Sequence, residues 1–297
     1  MLQANSPDNV VVFAPPRDID SMVMSSYLGR QEALVPEHPV DAAFKHHFEA
    51  PGGRARAELT CRCATLLGIE EADGRWLAAA VECLHNASLV QDDLQDHSKD
   101  RRGQASVMAK YGSDVALGLT NRLITAAFSC VTEVSDVAAL PALIGRMHQA
   151  VGETVGGQTA ELAGGSEKLS FARRLEIARQ KSGPLFALAL ELPLILAKKS
   201  SNLETAHEAA CQFGLAYQIL DDLKDQPFDA EKPKLGNLIL ALKAEMPGDL
   251  AEAHAIELAR RRLRDASKKA VELPCGTGAP LLTLIERVSS QIDAFES

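Results

Sequence analysis

Leu77-Ala78-Ala79-Ala80-Val81-Glu82-Cys83-Leu84-His85-Asn86-Ala87-Ser88-Leu89-Val90-Gln91-Asp92-Asp93-Leu94-Gln95-Asp96 is an apolar run that closes on three aspartates. Leu77, Val81, Leu84, Ser88 and Val90 follow helical spacing and lead straight into the acidic end. Residues four apart on a helix share a face, so Asp92 and Asp96 project together, about 6 Å apart along the axis. Two carboxylates that close repel unless a cation neutralises them. Magnesium does so, taking one or two carboxylates and completing its shell with water and phosphate oxygens. Alone, such a cluster reads first as a solvated acidic helix end.

The pattern recurs. Asp221-Asp222-Leu223-Lys224-Asp225 follows a second apolar helix carrying Phe213, Leu215, Ala216, Ile219 and Leu220. Two copies of Asp-Asp-Leu-x-Asp, each closing a helix, are hard to attribute to solvation. Facing each other, they would form a carboxylate mouth for a metal-bound diphosphate, a known way of building sites in helical bundles.

Working outward, periodicity predicts helix nearly everywhere. Val23, Tyr27 and Leu28 begin it, and Leu59, Cys63, Leu66 and Leu67 continue it up to Gly68. Further stretches cover 112–133, 137–164, 169–198, 203–225, 235–244, 247–271 and 278–294, separated by Pro or Gly. No stretch alternates long enough to predict a strand. Residues 1–17 carry Pro and Asn without periodicity and read as a flexible start. The remainder, 18–297, reads as one all-α, bundle-like domain.

Composition agrees: of 297 residues 46% are hydrophobic but only 4% aromatic, which favours packed helices over a sandwich. A net charge of −9 gives no general attraction to nucleic acid. An anionic substrate would therefore need a locally basic site. Six scattered cysteines lack metal-ligand spacing and suggest a reducing, cytoplasmic setting. The apolar run 184–197 is interrupted by Glu191 and Pro193 and is too short for a transmembrane segment.

His85 to Asp93, followed by Asp96-His97-Ser98-Lys99-Asp100-Arg101-Arg102-Gly103, resembles the trans-isoprenyl diphosphate synthases, most of all geranylgeranyl diphosphate synthases. Tyr111-Gly112, Gly156-Gly157-Gln158, Lys181-Ser182-Gly183 and Tyr217-Gln218-Ile219-Leu220-Asp221-Asp222 fall in that family's order, and the likeness spans 51–242. The resemblance implies a helical bundle of the isoprenoid synthase type with a central active-site cavity, a homodimer, and Mg2+ as cofactor. It implies that an allylic diphosphate ionises and that the double bond of isopentenyl diphosphate attacks the cation. Asp92, Asp96 and Asp221 would bind magnesium directly, with Asp93, Asp222 and Asp225 assisting. Arg101 and Lys181 would hold the allylic diphosphate. Arg56, His85 and Arg102 would hold isopentenyl diphosphate, and Ser182 and Gln218 would turn oxygen dipoles toward the cation.

Three positions depart from the family. Pro51-Gly52-Gly53-Arg54-Ala55-Arg56 has Gly53 where a lysine is usual, and Arg54 is the expected substitute. The loop after the second cluster is short, 226–234, and leaves Lys232 and Lys234 as its only lysines. Thr120-Asn121 replaces Gly-Asp in the helix after Tyr111. Product length should depend on Ala87 and Ser88, one turn below Asp92. Small side chains there leave room for a geranylgeranyl product, with farnesyl the alternative. Two other readings stay open: a terpene cyclase, which would not need the Arg-Arg-Gly segment or a second aspartate cluster, and a non-catalytic partner subunit, which would be expected to lose aspartates first.

Overall fold

Helix α8 (Phe171–Leu196) is buried without a break from Gly183 to its end, and α4 (Glu71–Gln95) is buried from Leu77 through Leu84. A helix apolar on all sides must be surrounded by others. In the computed structural model α4 and α8 are accordingly the inner members of an all-helical bundle. The structure describes residues 19–29, 33–35, 37–50, 52–163, 169–229 and 237–295, without the side chains of 226–229. The first seventeen residues, Lys232 and Lys234 lie outside that set.

The other helices are α1 (Ile19–Leu28), α2 (Pro39–Glu49), α3 (Ala55–Leu66), α5 (Val107–Tyr111), α6 (Ser113–Val131), α7 (Leu140–Ala163), α9 (Leu203–Asp229), α10 (Leu238–Lys243), α11 (Gly248–Ala270) and α12 (Ala279–Asp293). The expected segments from residue 112 onward correspond to α6 through α12. Pro184 and Pro193, read as interruptions, sit inside α8, which continues through both. Each proline removes one intrahelical hydrogen bond, and burial among neighbouring helices holds the helix together.

The structure departs from the sequence expectation in several places: α5 was not expected, and α9 runs on to Asp229, so the second aspartate cluster lies inside its helix and the expected loop 226–234 begins as helix. Helix α2 escaped the periodicity because its buried face carries Asp41, His46 and His47 beside Ala43 and Phe44. A short antiparallel hairpin, β1 (Asp100–Arg101) with β2 (Gln104–Ala105), also forms where no strand was expected. Its two-residue turn has φ of 54° at Arg102 and 79° at Gly103, the left-handed pair that a tight hairpin needs. Helix α2 pins the hairpin: His46 Nε2 donates to the Ala105 carbonyl at 2.8 Å, and Gln104 Nε2 donates to the His46 carbonyl at 2.8 Å.

Helix α8 packs on α7 on one side and α9 on the other, while α4 packs on α3, α6 and α8. The contact of α8 with α9 is backbone-close. A Cβ on Gly183 would lie 2.6 Å from Cys211 Sγ, and one on Gly214 would lie 3.0 Å from Gly183 Cα. Gly157 does the same for α7, where a Cβ would sit 2.9 Å from the Lys181 amide nitrogen. Three helices thus converge at the level of Lys181–Gly183. No helix among the described residues is long and apolar enough to cross a membrane.

Candidate active site

The first aspartate cluster ends α4 in a defined way. His97 takes φ 52°, and Ser98 N–H returns to the Asp93 carbonyl at 3.0 Å, a Schellman-type stop. Asp92 and Asp93 are therefore in the last turn and Asp96 is the C-cap. Carboxylates at a helix C-terminus face the negative end of the helix dipole, so the arrangement demands cations. Two arrive from different elements: Arg101 Nη2 lies 3.6 Å from Asp92 Oδ2, and Lys181 Nζ lies 3.5 Å from Asp92 Oδ1. Against the burial that would lower them, the surrounding carboxylates raise both: Asp93 first for Arg101, Asp92 first for Lys181.

The middle aspartate of each cluster is committed to the protein. Asp93, 1% exposed, receives Arg101 Nε at 3.1 Å on each oxygen and Nη2 at 2.6 Å. Asp222, 6% exposed, accepts Gln218 Nε2 at 2.8 Å and the Leu238 amide at 2.8 Å, while its carbonyl accepts Asn237 Nδ2 at 3.1 Å. Asp222 thereby fixes the start of α10, and Asn237 also caps that helix through the Ile239 and Leu240 amides. The outer aspartates Asp96 and Asp225 are exposed, and Asp221 is half-buried. Burial, then the neighbouring Asp225 against Lys224, pushes the Asp221 carboxyl up to about 6.

Lys181 and Ser182 join the two clusters. Lys181 reaches Asp92, whereas Ser182 Oγ donates to Gln218 Oε1 at 2.9 Å, and Gln218 passes on to Asp222. Glu161 on α7 also binds Lys181 Nζ. The sequence reading missed Glu161, although it lies one helical turn beyond Gln158, on the same face. Gln158 is itself buried, and its Nε2 has no partner among the described residues.

The second basic group forms at the start of α3. Arg56 lies with its guanidinium 3.8 Å from the Phe186 ring centroid and Nη1 3.3 Å from His85 Nε2. Its Nε is buried with no partner among the described residues. Burial, then the adjacent Arg56, holds His85 well below the usual histidine range, so the imidazole is neutral. Arg102 lies against Gly52, where a Cβ would come within 2.8 Å of its Nη2. Arg54 is otherwise engaged: it is ion-paired with Asp20 of α1 and has Nη1 3.3 Å from Glu82 Oε2. The arginine expected to replace the missing lysine therefore already holds two carboxylates. Ala87 is buried, and Ser88 is half-buried with Oγ donating to the His85 carbonyl at 2.8 Å. Thr120 is buried and donates to the Ala116 carbonyl.

Chemically, this is a site for polyanions. One carboxylate group is crossed by Arg101 and Lys181, and beside it stands a guanidinium resting on an aromatic ring and a neutral imidazole. No three acidic, histidine or cysteine side chains among the described residues come together as a closed metal cage. The donor set of Asp92, Asp96, Asp221 and Asp225 is all oxygen and spread over two helices. That fits magnesium, which keeps water and phosphate oxygens in its shell.

Comparison with known proteins agrees with the geometry. The polyprenyl synthetase family matches residues 37–236. The chain is 30% identical over 266 residues to farnesyl diphosphate synthase of Geobacillus stearothermophilus, covering 82% of this chain and 87% of that one. It is 31% identical over 244 residues to geranylgeranyl diphosphate synthase of Pantoea ananas, covering 75% and 81%. The fold superposes on geranylgeranyl pyrophosphate synthetase from Pyrococcus horikoshii with a TM-score of 0.79 at 21% identity, over 91% of this chain and 95% of that one. By its family match over two thirds of its length, the chain belongs to the polyprenyl synthetase family and is a prenyltransferase.

Proposed function

We propose that this enzyme condenses isopentenyl diphosphate with an allylic diphosphate to give a trans-polyprenyl diphosphate, with geranylgeranyl diphosphate as the product. The observation that carries the reading is Asp92 held between Arg101 and Lys181, two cations from separate elements meeting at one carboxylate. In the reaction the allylic C–O bond breaks and leaves a cation and diphosphate. The isopentenyl double bond then forms the new C–C bond, and a proton leaves to the released diphosphate.

Arg101 presents a fork of donors to the departing diphosphate, and Lys181 adds a point charge. Asp93 and Glu161 hold those two cations in place. Asp92, Asp96, Asp221 and Asp225 would hold Mg2+, which would supply further charge neutralisation of the leaving group. Ser182, fixed through Gln218 to Asp222, keeps its oxygen lone pairs available to the cation. Arg56, His85 and Arg102 bind isopentenyl diphosphate. The unpartnered Arg56 Nε and the neutral faces of Phe186 and His85 leave that guanidinium short of an anion.

Small side chains at Ala87 and Ser88 support the geranylgeranyl product. The relative from Geobacillus stearothermophilus, a farnesyl diphosphate synthase, supports farnesyl as the second reading. The working enzyme is a homodimer in this proposal. The test incubates the protein and magnesium with dimethylallyl, geranyl or farnesyl diphosphate, with and without isopentenyl diphosphate, and resolves the products by chain length. Elongation supports the reading. Cyclic hydrocarbon without isopentenyl diphosphate points to a cyclase, and no turnover points to a partner subunit.

A further inference from the structure

The arginines at the start of α3 rest on a buried acid. Glu82 lies on α4 one turn before His85 and is 2% exposed. Its carboxylate accepts the Ala57 amide at 3.2 Å, Arg54 Nη1 at 3.3 Å and Asn86 Nδ2 at 3.4 Å. Asn86 Nδ2 also donates to the Glu82 carbonyl at 2.8 Å, and Asn86 Oδ1 accepts His47 Nε2 at 3.0 Å. Burial pushes the His47 imidazole down to about 4, so it enters this chain as a neutral donor. One carboxylate thus ties α2, α3 and α4 together at the turn from which Arg54 and Arg56 emerge.

By charge alone this acid has the wrong sign. A carboxylate beneath a site for an anion weakens that anion's binding through space, and its own burial is costly unless it is well paired. Its benefit is geometric. Arg54, Arg56 and Arg102 crowd one small region, and burial works against the charged forms of Arg56 and Arg102. Arg54 also stands at a left-handed φ of 50°, a backbone conformation that needs support from its surroundings. Glu82 meets Arg54 on its guanidinium and α3 on its first-turn amide, and so holds both ends of this segment.

We propose that Glu82 is a positioning residue that, through Arg54 and the first-turn amide of α3, sets Arg56 against His85 at the isopentenyl diphosphate subsite, with Asn86 and His47 as its brace. The assignment rests on the reaction proposed above and adds a residue to it. Two roles make opposite predictions for Glu82→Gln, which keeps the shape but puts an amide nitrogen toward donors that need an acceptor. Positioning raises KM for isopentenyl diphosphate, whereas removal of a through-space repulsion lowers it.

The experiment measures both Michaelis constants and the thermal midpoint for wild type, Glu82→Gln, Arg54→Ala and the double variant. Expected is a rise of about tenfold in KM for isopentenyl diphosphate, a change of about 1.4 kcal/mol, with KM for the allylic diphosphate within about twofold. The double variant should fall short of the product of the single effects, because Glu82 acts partly through Arg54. If Glu82→Gln does not fold, Asn86→Ala removes only the brace and should raise the same constant by about threefold. An unchanged or lowered KM for isopentenyl diphosphate in a folded variant overturns the role, as does an equal rise in both constants. Wild-type enzyme that elongates no allylic diphosphate overturns the reaction reading itself, a result separable from these.

Discussion

Arg101 meets Asp93 side-on, with Nε 3.1 Å from both carboxylate oxygens and Nη2 2.6 Å from Oδ1. The pairing leaves Nη1 unused by Asp93 and fixes the plane of the guanidinium beside Asp92. Asp93 and Asp92, adjacent in sequence, should therefore fail differently when replaced. Asp93→Ala should raise KM for the allylic diphosphate about tenfold or more by loosening Arg101, with little change in the magnesium concentration needed for half activity. Asp92→Ala should lower kcat by about a hundredfold or more and raise the magnesium requirement. Magnesium titrations of both variants check the distinction.

The second cluster should divide along the same line. Asp221→Ala is expected to abolish most activity without lowering the thermal midpoint, since the buried carboxyl gains little from its protein surroundings. Asp222→Ala is expected to cost about 2 kcal/mol, roughly 4 °C in Tm, because Gln218 and the Leu238 amide lose their acceptor. Calorimetry beside activity assays separates the two. Excess chelator should silence the wild type, and full activity in chelator would falsify the two-cluster site.

A pH dependence should come from elsewhere in the bundle. His207 on α9 bonds the Cys211 thiol and Glu191, and these raise its imidazole to about 10, with Arg146 and Glu153 also facing the group. A folded-state value above the unfolded 6.5 means the stabilisation is complete below about pH 6.5. It is lost as pH rises toward 10. Tm should therefore fall over that window, and His207→Gln should flatten the profile. Parallel curves for the two proteins would contradict the assignment.

Product length gives the remaining test. Ala87 is buried on α4 about one turn below Asp92. Ala87→Phe forces a ring into close packing, at a cost of about 1–3 kcal/mol in stability. In folded protein the first condensation should persist while the main product shortens to farnesyl or geranyl diphosphate. Chromatography of the dephosphorylated alcohols reads this out, and an unchanged distribution would make farnesyl diphosphate the better product assignment.

How much of this was legible in the sequence varies with what each residue touches. The long helices were, because Leu77 to Val90 and Phe213 to Leu220 carry their period in the letters. Helix α2 was hidden because Asp41, His46 and His47 take core-facing positions and break the apolar pattern. Both aspartate clusters were visible, but the separate duties of their members were not. Asp93 and Asp222 read the same as their neighbours until the hairpin and α10 come in from 8 and 16 residues away to claim them. Glu82 and Glu161 were invisible for the same reason, since an acid bound to a distant arginine or lysine looks, in one dimension, like any surface charge.

The hairpin at Arg101–Arg102 has a mechanical meaning. In the proposed reaction two consecutive residues, one in a strand and one in a left-handed turn, would hold the two reagents, so their anchors would be separated by one peptide unit, about 3.8 Å between Cα atoms. Helix α2 clamps the far strand, which keeps that span from drifting. In that reaction the turn would work as a caliper, setting the gap between an electron-poor carbon and the double bond that must reach it. One extra residue between the arginines would keep every charge yet lose the alignment, and effective concentration would fall while affinity for each reagent survived.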